Sequence, residues 1–227
     1  MYKLRIRHQK TGELRFLSHL DLVRAFERGF RRADLPLSFS RGFSPRPKIS
    51  FGPPLPVGVS SESEYIDLVL SECPPLCQIA SSLRSAFPED LCCREVRYIP
   101  LKTSSLMSAV TIASYRITRS FSPMLTSAEI QHYIDLALSK EQVVLPTKNG
   151  EKLYQIDKIV KRLDLDNVEE DVGEFSFVGL LGSAGGVRPD TLIDKVFSFE
   201  AKPPQFKYRQ IHRTGLYREK NGKLIRP

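Results

Sequence analysis

A helix that is apolar on one side and basic on the other restricts the fold of this chain more than any other segment. It is predicted from about His19 to Ala33, where Ser18 and Asp21 have nearly the spacing of a capping box and Pro36 ends the helical pattern. The apolar side is expected to pack on a core and the basic side to face solvent. Those two sides consist of Leu20, Val23, Phe26, Phe30 and Ala33, and of Arg24, Arg28, Arg31 and Arg32.

The segments around this helix predict a complete α+β unit over residues 1–101. The pattern before the helix is the apolar–basic alternation of a strand, Tyr2 to Arg7, and the segment after it, residues 35–58, is rich in Gly and Pro. Further elements follow at 48–51 (strand), 64–70 (strand), 75–86 (helix) and 92–99 (strand). The order β-α-β-β-α-β is that of ferredoxin-like domains.

A polar joint at residues 102–109 separates this unit from a second set of elements over residues 110–200. Strands are predicted at 114–121, 142–145, 153–163 and 174–181, and helices at 127–138 and 189–197. Asn149-Gly150 is a strong hairpin signal, and residues 164–173 are predicted to be an acidic loop. We therefore expect two tandem ferredoxin-like domains, the second a variant, followed by a basic tail at 201–227 with a small hairpin around Asn221-Gly222.

The net charge of +8 is unevenly distributed along the chain. Residues 1–60 carry a net +8, residues 61–200 a net −7 and residues 201–227 a net +7. Two basic blocks around an acidic middle favour an anionic partner such as RNA, although a merely solvated basic surface would have the same composition.

The cysteine positions argue against a zinc protein, and the hydropathy argues against a membrane-spanning or secreted one. A tetrahedral zinc site is disfavoured because Cys92 and Cys93 are adjacent and would point to opposite faces of a strand, so ordinary thiols are preferred for them and for Cys73 and Cys77. No apolar run is long enough to span a membrane, and residues 1–8 lack the continuous apolar stretch of a signal peptide. We expect a cytoplasmic protein without metal or cofactor.

Two basic elements are the main candidates for contacting RNA. The row Arg24, Arg28 and Arg31 follows helical spacing and can meet successive phosphates. The loop that follows carries Arg41, Arg46 and Lys48 beside Phe43, an aromatic ring that either stacks on a base or fills the core beneath the loop.

Further candidates lie near the second basic block. The glycine-rich segment 182–188, which ends in Arg188, lies between a strand and a helix start and can cradle a phosphate through backbone N–H groups; a tight connection is the alternative. In the terminal segment, Tyr208 and Tyr217 are interleaved with Lys207, Arg209 and Arg213. For catalysis no constellation can be defended from spacing; His19 is the only candidate, and a structural role is favoured for it.

The densest motifs of the chain resemble the radical-SAM-linked family of unknown function. The resemblance is carried by residues 15–28, RFLSHLDLVRAFER, and 35–58, LPLSFSRGFSPRPKISFGPPLPVG, and recurs at 182–191 and 212–217. The resemblance implies that the chain accompanies a radical SAM protein and acts on RNA or the ribosome. The paired ferredoxin-like units are also similar, in architecture, to CRISPR repeat-processing endoribonucleases, a likeness that draws attention to His19.

Three functions are therefore compatible with the sequence. The first is an RNA-binding accessory protein, acting with a radical SAM enzyme or in RNA or ribosome maturation. The second is a metal-independent endoribonuclease that uses His19. The third is a protein-interaction subunit of a radical SAM enzyme without RNA contact. The aromatic residues that accompany the basic ones, Phe43, Tyr208 and Tyr217, favour the first function over the third.

Overall fold

The computed structural model describes residues 1–147, 150–181, 185–199 and 203–227, and for residues 207 and 208 it describes the backbone alone. Contacts divide the chain into two units, residues 1–110 together with residue 227, and residues 111–226. The structure is mixed α+β, as predicted. Among the described residues, no helix has the length and apolar character needed to cross a membrane.

The first unit has the predicted β-α-β-β-α-β order. Its sheet runs β4-β1-β3-β2 with every neighbouring pair antiparallel, which is the strand order of a ferredoxin-like domain. Short 3₁₀ turns lie at Gly12–Phe16 and Glu89–Leu91. The elements are β1 (Tyr2–Lys10), α1 (His19–Arg32), β2 (Ile49–Phe51), β3 (Ser60–Leu70), α2 (Leu76–Ala86), β4 (Cys93–Ile99) and α3 (Leu106–Ala109).

The second unit repeats this strand order with an inserted hairpin. The pairings β10-β5-β9-β8 are all antiparallel, and the hairpin β6-β7 interrupts the path from the first helix to the second sheet strand. The elements are β5 (Ile112–Ser122), α4 (Ser127–Leu138), β6 (Gln142–Thr147), β7 (Gly150–Gln155), α5 (Ile156–Ile159), β8 (Val160–Glu169), β9 (Val172–Leu180), α6 (Pro189–Val196), β10 (Gln205–Lys220) and β11 (Lys223–Ile225).

Three parts of the second unit differ from expectation. The stretch predicted as one strand at 153–163 is divided by α5, and most of the predicted acidic loop is strand β8. The predicted tail at 201–227 contains β10, which pairs with β5 from Gln205 opposite Ser122 to Tyr217 opposite Ile112 and so supplies the fourth strand of this sheet. This strand was not predicted from the sequence, because its segment is rich in basic residues and has few apolar positions.

Both predicted hairpins form. Strands β6 and β7 pair antiparallel from Gln142–Gln155 to Thr147–Gly150, and Asn149 lies outside the described residues. Strands β10 and β11 pair around Asn221 and Gly222, whose positive φ angles of 52° and 72° are those that a tight hairpin turn of type I′ requires.

Helix α1 packs on β1 and β3 through one stripe of side chains. Ser18 caps it by accepting a hydrogen bond from the Asp21 backbone N–H, as predicted. Leu20 was predicted to be buried but is 60% exposed, because successive rotations of 100° place it on the side of the arginines. The buried residues of the helix are Leu22, Phe26, Gly29 and Phe30. Leu22, Phe26 and Phe30 pack in one cluster with Leu4, Ile6, Ile66, Leu68, Ile79, Leu83 and Phe87.

The other face of β1 and β3 carries buried charge. Arg5 donates from Nε and from one terminal guanidinium nitrogen to the two carboxylate oxygens of Asp67, at 2.7 and 2.8 Å. The ammonium of Lys3 lies 3.3 Å from the same carboxylate. Lys3 also donates to the Thr103 carbonyl, and α3 packs on β2 and β3 with Leu106 fully buried. The predicted polar joint thus belongs to the first unit and covers this face.

Gly29 is predicted to be required for the packing of α1 on the segment after α2. A Cβ at this position would lie 2.1 Å from the ring of Phe87, and this overlap outweighs the better helix propensity of alanine. We expect Gly29→Ala to lower the free energy of unfolding by about 1–3 kcal/mol in denaturant titration. Combining it with Phe87→Leu should recover part of that loss; a Gly29→Ala protein as stable as the wild type would contradict this packing.

Candidate nucleic-acid interface

A hydrogen-bonded loop projects between α1 and β2. The backbone N–H of Ser40 donates to the Arg46 carbonyl at 2.8 Å, the N–H of Arg46 donates to the Ser40 hydroxyl at 3.0 Å, and the N–H of Lys48 donates to the Ser38 carbonyl at 2.8 Å. Its base is attached to the sheet edge, because the Ser38 N–H donates to the Val69 carbonyl. The loop is therefore an ordered projection.

Phe43 lies at the tip of this loop, and its side chain is fully exposed at 110% of the reference area. The alternative in which Phe43 fills the core beneath the loop is therefore excluded. Arg41, Arg46 and Lys48 are exposed as well. The loop presents one aromatic ring and three cations to solvent.

The arginine row of α1 is exposed as predicted. Arg24 lies 3.5 Å from Asp21 in a solvent-exposed pair, a contact that is worth little in water. Arg28 and Arg31 form no ion pair within the described residues. The helix ends at Arg32, close in sequence to the start of the loop, and we predict that the two elements form a single continuous basic surface.

The basic candidates of the second unit are placed very differently. Arg188 donates to both oxygens of Asp190 at 3.1 and 2.7 Å, and Arg209 lies 3.3 Å from the same carboxylate. Arg213 is only 1% exposed, and its Nε donates to the Tyr115 hydroxyl at 3.3 Å. We predicted that Arg213 contacts RNA; its burial in the sheet contradicts that role, because β10 is a strand and not a tail.

Some predicted positions lie outside the described residues. The side chains of Lys207 and Tyr208 belong to this group, as do residues 182–184 of the glycine-rich segment. The described end of that segment leads into α6, with Arg188 at the N-cap and Pro189 as the first helical residue. The phosphate-cradling role of the glycine-rich segment stays a prediction.

His19, the candidate catalytic residue, is exposed at the first position of α1. Its ring meets the edge of Phe51 at a centroid distance of 5.7 Å, and within the described part of the chain its imidazole has no hydrogen-bond partner. A general base is normally oriented by a second group, so this geometry offers little for base catalysis. The helical rotation places His19 on the side of α1 that faces the core. The first turn of the helix, however, lies at the edge of that core, so His19 is exposed.

A buried polar group near the start of α1 was missed by the sequence reasoning. His8 and Lys10 lie on the core-facing side of β1, where His8 is opposite Glu64 and Lys10 is opposite Ser61 on β3. Lys10 donates to the Leu17 carbonyl at 2.8 Å, and Ser61 donates to Glu64 at 2.7 Å. The alternation that places Leu4 and Ile6 inside also places His8 and Lys10 inside, which was the available signal.

The electrostatics of this group follow from burial. Desolvation lowers the pKa of His8, against a smaller opposing effect of Glu64, and the ring packs 4.5 Å from that of Phe26. Desolvation likewise lowers the pKa of Lys10. His8 is therefore a neutral core residue near neutral pH, which explains its place beside an aromatic ring.

The cysteines do not converge on a metal. Cys73 and Cys77 are exposed, Cys92 and Cys93 are half-buried, and all four are free thiols. Burial raises the pKa of Cys93 to about 12, so it stays protonated at neutral pH. Across the described ranges, no cluster of three or more His, Cys, Asp or Glu side chains has the arrangement to hold a metal ion.

The sequence matches the profile of the family described as "Uncharacterized protein conserved in bacteria (DUF2344)" over residues 3–189. The chain belongs to this family. Among curated proteins, none matches the sequence. The family match covers nearly all of the first unit and most of the second, including the arginine row, the Phe43 loop and Arg188.

The DUF2344 chain shares its fold with chains of known structure. Three of them come from structures described as "Crystal Structure of a Cbf5-Nop10-Gar1 Complex", "Structure of H/ACA RNP bound to a substrate RNA containing 2'-deoxyuridine" and "Crystal structure of the archaeal box H/ACA sRNP Nop10-Cbf5 complex". The TM-scores are 0.55, 0.52 and 0.51, at 10%, 9% and 9% identity. Identities this low show likeness of fold alone.

The extent of these matches differs between the two sides. They cover 93%, 93% and 92% of this chain but only 48%, 46% and 46% of the other chains. The chain thus spans about half the length of the solved chains it matches.

Buried His8 predicts a pH-dependent stability of the DUF2344 chain. Because its folded-state pKa lies below the unfolded value of about 6.5, the unfolded chain binds the proton first as the pH falls. This contribution is fully present above about pH 7 and declines below it, by at most about 1.4 kcal/mol per pH unit, until the folded-state pKa is reached. Denaturant titrations at pH 7 and pH 5 should show a smaller decline for His8→Gln than for the wild type.

His19→Gln is the matched control for this prediction, since it replaces an exposed histidine of the same unit. It should follow the wild-type pH dependence. Equal declines for His8→Gln and the wild type would show that other groups account for the acid sensitivity.

Proposed function

We propose that this chain is an RNA-binding protein that contacts single-stranded RNA through the Phe43 loop and the arginine row of α1. The observation that carries the proposal is the fully exposed ring of Phe43 at the tip of an ordered loop, among exposed Arg41, Arg46 and Lys48. An aromatic ring held in water gains from stacking, and an unpaired base offers a face for it while the cations hold the phosphates.

The arginine row supplies the second half of the interface. Arg24, Arg28 and Arg31 are exposed, and the pair between Arg24 and Asp21 is formed by solvent-exposed side chains. Residues 1–60 carry a net +8, so this segment attracts a polyanion. Phosphate contacts of this kind position a strand without reading its sequence.

The fold comparison supports a role with RNA. One of the solved neighbours is an H/ACA ribonucleoprotein bound to a substrate RNA. A shared fold does not by itself transfer a function, so this support is secondary to the exposed loop and helix.

The finer parts of the proposal concern partners and chemistry. We infer from the resemblance at residues 15–28 and 35–58 that the chain assists a radical SAM protein, or acts in RNA or ribosome maturation. Catalysis by the chain alone is disfavoured, because exposed His19 has a ring contact with Phe51 and no hydrogen-bond partner among the described residues. Incubation of RNA with the wild type and with His19→Ala without metal tests this point: specific cleavage that the variant loses would establish an endoribonuclease.

Replacing Arg24, Arg28 and Arg31 together by Ala should weaken binding of a fluorescent single-stranded RNA and flatten its dependence on salt. Each phosphate contact contributes about −0.7 to the slope of log affinity against log salt. Loss of three contacts should therefore make this slope less negative by about 2. Fluorescence anisotropy over a range of salt concentrations measures both quantities.

The matched control removes equal charge from exposed positions of the acidic middle segment, Lys152, Lys158 and Arg162. It should change the slope little. If both triple variants lose the same affinity, net charge rather than the α1 row accounts for binding.

Phe43→Ala should lower the affinity for single-stranded RNA by about 5- to 150-fold, the equivalent of one stacked base, without changing the salt slope. Met124→Ala, which truncates another exposed apolar side chain, should have no effect. Duplex RNA should be insensitive to both changes, since its bases are already stacked. Absence of RNA binding at low salt, together with salt-resistant binding to a radical SAM protein that Phe43→Ala weakens, would favour the interaction subunit instead.

A further inference from the structure

Three arginines of the second unit converge where β5, α6 and β10 meet. Arg119 on β5 lies directly opposite Arg209 on β10 in the strand pairing, and Arg188 is the N-cap of α6. Arg119 occupies a core-facing position in the alternation Tyr115, Ile117, Arg119 and Phe121, and it is 5% exposed. A charged arginine at such a buried position lowers the stability of the fold unless a partner or a ligand compensates its charge.

The carboxylates around these arginines do not balance them. Asp190, in the first turn of α6, accepts from Arg188 and lies 3.3 Å from Arg209, while Asp194 pairs with Arg119. Three guanidinium groups therefore share two carboxylates. Burial lowers the pKa of Arg119 to about 10, and the charge of Arg209 adds to this effect, as expected for cations directly opposite one another in a sheet.

Hydrogen bonds within the described residues leave the buried guanidinium of Arg119 incompletely satisfied. The Nε of Arg119 is buried and lacks a hydrogen-bond partner in the part of the chain that the structure describes. The guanidinium packs 4.3 Å from the ring of Phe206, which excludes water from one side of it. An unsatisfied buried donor on a permanent cation favours an anionic oxygen from outside the chain.

The cluster is open to solvent on its other side. The side chains of Arg188 and Arg209 are 66% and 41% exposed. The N-terminal end of α6, which begins at Pro189, adds the positive end of a helix dipole. A ligand can therefore reach Arg188 and Arg209 from solvent.

We propose that Arg119, Arg188 and Arg209 form a binding site for a phosphate group, and that Asp190 is an internal acceptor which the phosphate displaces from Arg188 and Arg209. A phosphate offers more acceptor oxygens than one carboxylate, and forked guanidinium groups match it geometrically. Only the source of the phosphate, a terminal or backbone phosphate of RNA, rests on the proposed RNA-binding function; free phosphate has the same chemistry.

Thermal unfolding of the full chain in sodium phosphate and in sodium chloride of equal ionic strength tests the site. Phosphate well above its dissociation constant should raise Tm by about 2–4 °C over chloride. Arg188→Gln, at an exposed side chain, and Arg119→Gln should abolish this rise. Arg116→Gln, at an exposed position on the same strand, should retain it. Asp190→Asn should lower the half-saturating phosphate concentration, by about threefold or more, because it removes the competing acceptor.

A rise in Tm that Arg188→Gln retains, or no rise of the wild type over chloride, would overturn the site and leave a structural ion-pair network. RNA with a 5′-phosphate or a 5′-hydroxyl separates the two sources in RNA: a preference for the 5′-phosphate that Arg188→Gln removes assigns a terminal phosphate. Equal affinities that Arg188→Gln lowers assign the backbone. A phosphate response without RNA binding would refute the proposed function alone, and RNA binding without that response would refute the site alone.

Discussion

The buried ion pair between Arg5 and Asp67 is the constraint on which the first unit depends. The two residues lie directly opposite in the β1–β3 pairing, and both are nearly inaccessible to solvent. A slip of one residue would turn the carboxylate to the opposite face and leave two buried charges without partners. Such a pair adds modest net stability, but it penalises every other register. The positions of Leu4, Ile6, His8 and Lys10 beneath α1 follow from that register.

The packing of α1 on the sheet in turn determines which of its side chains face solvent. With Phe26 and Phe30 against the sheet, helical rotation turns Arg24, Arg28 and Arg31 outward. The chain then leaves the helix near the sheet edge, where backbone hydrogen bonds of the following loop hold Phe43 away from the core. The candidate interface is thus a consequence of core packing on the opposite side of the same elements.

Local pattern determined much of this architecture in advance. Helix α1, its cap at Ser18, the order of elements in the first unit, and the hairpins at residues 142–155 and around Asn221-Gly222 follow from periodicity and turn chemistry. The arginine row was predictable for the same reason, because helical spacing alone places these residues on one side. Each of these features depends on residues close in sequence, which is where periodicity carries information.

Tertiary structure alone decided the role of the remaining charged residues. Strand β10 was hidden in a basic segment because its pairing with β5 joins residues roughly a hundred positions apart, and no local signal reports such a partner. That pairing buries Arg213 against Tyr115 and brings Arg209 beside Arg119. The sequence by itself established which residues are basic and which elements carry them. Whether a given arginine meets solvent, a tyrosine hydroxyl or an aspartate depended on sheet partners distant in the chain, since burial is a property of the packed elements and not of the segment.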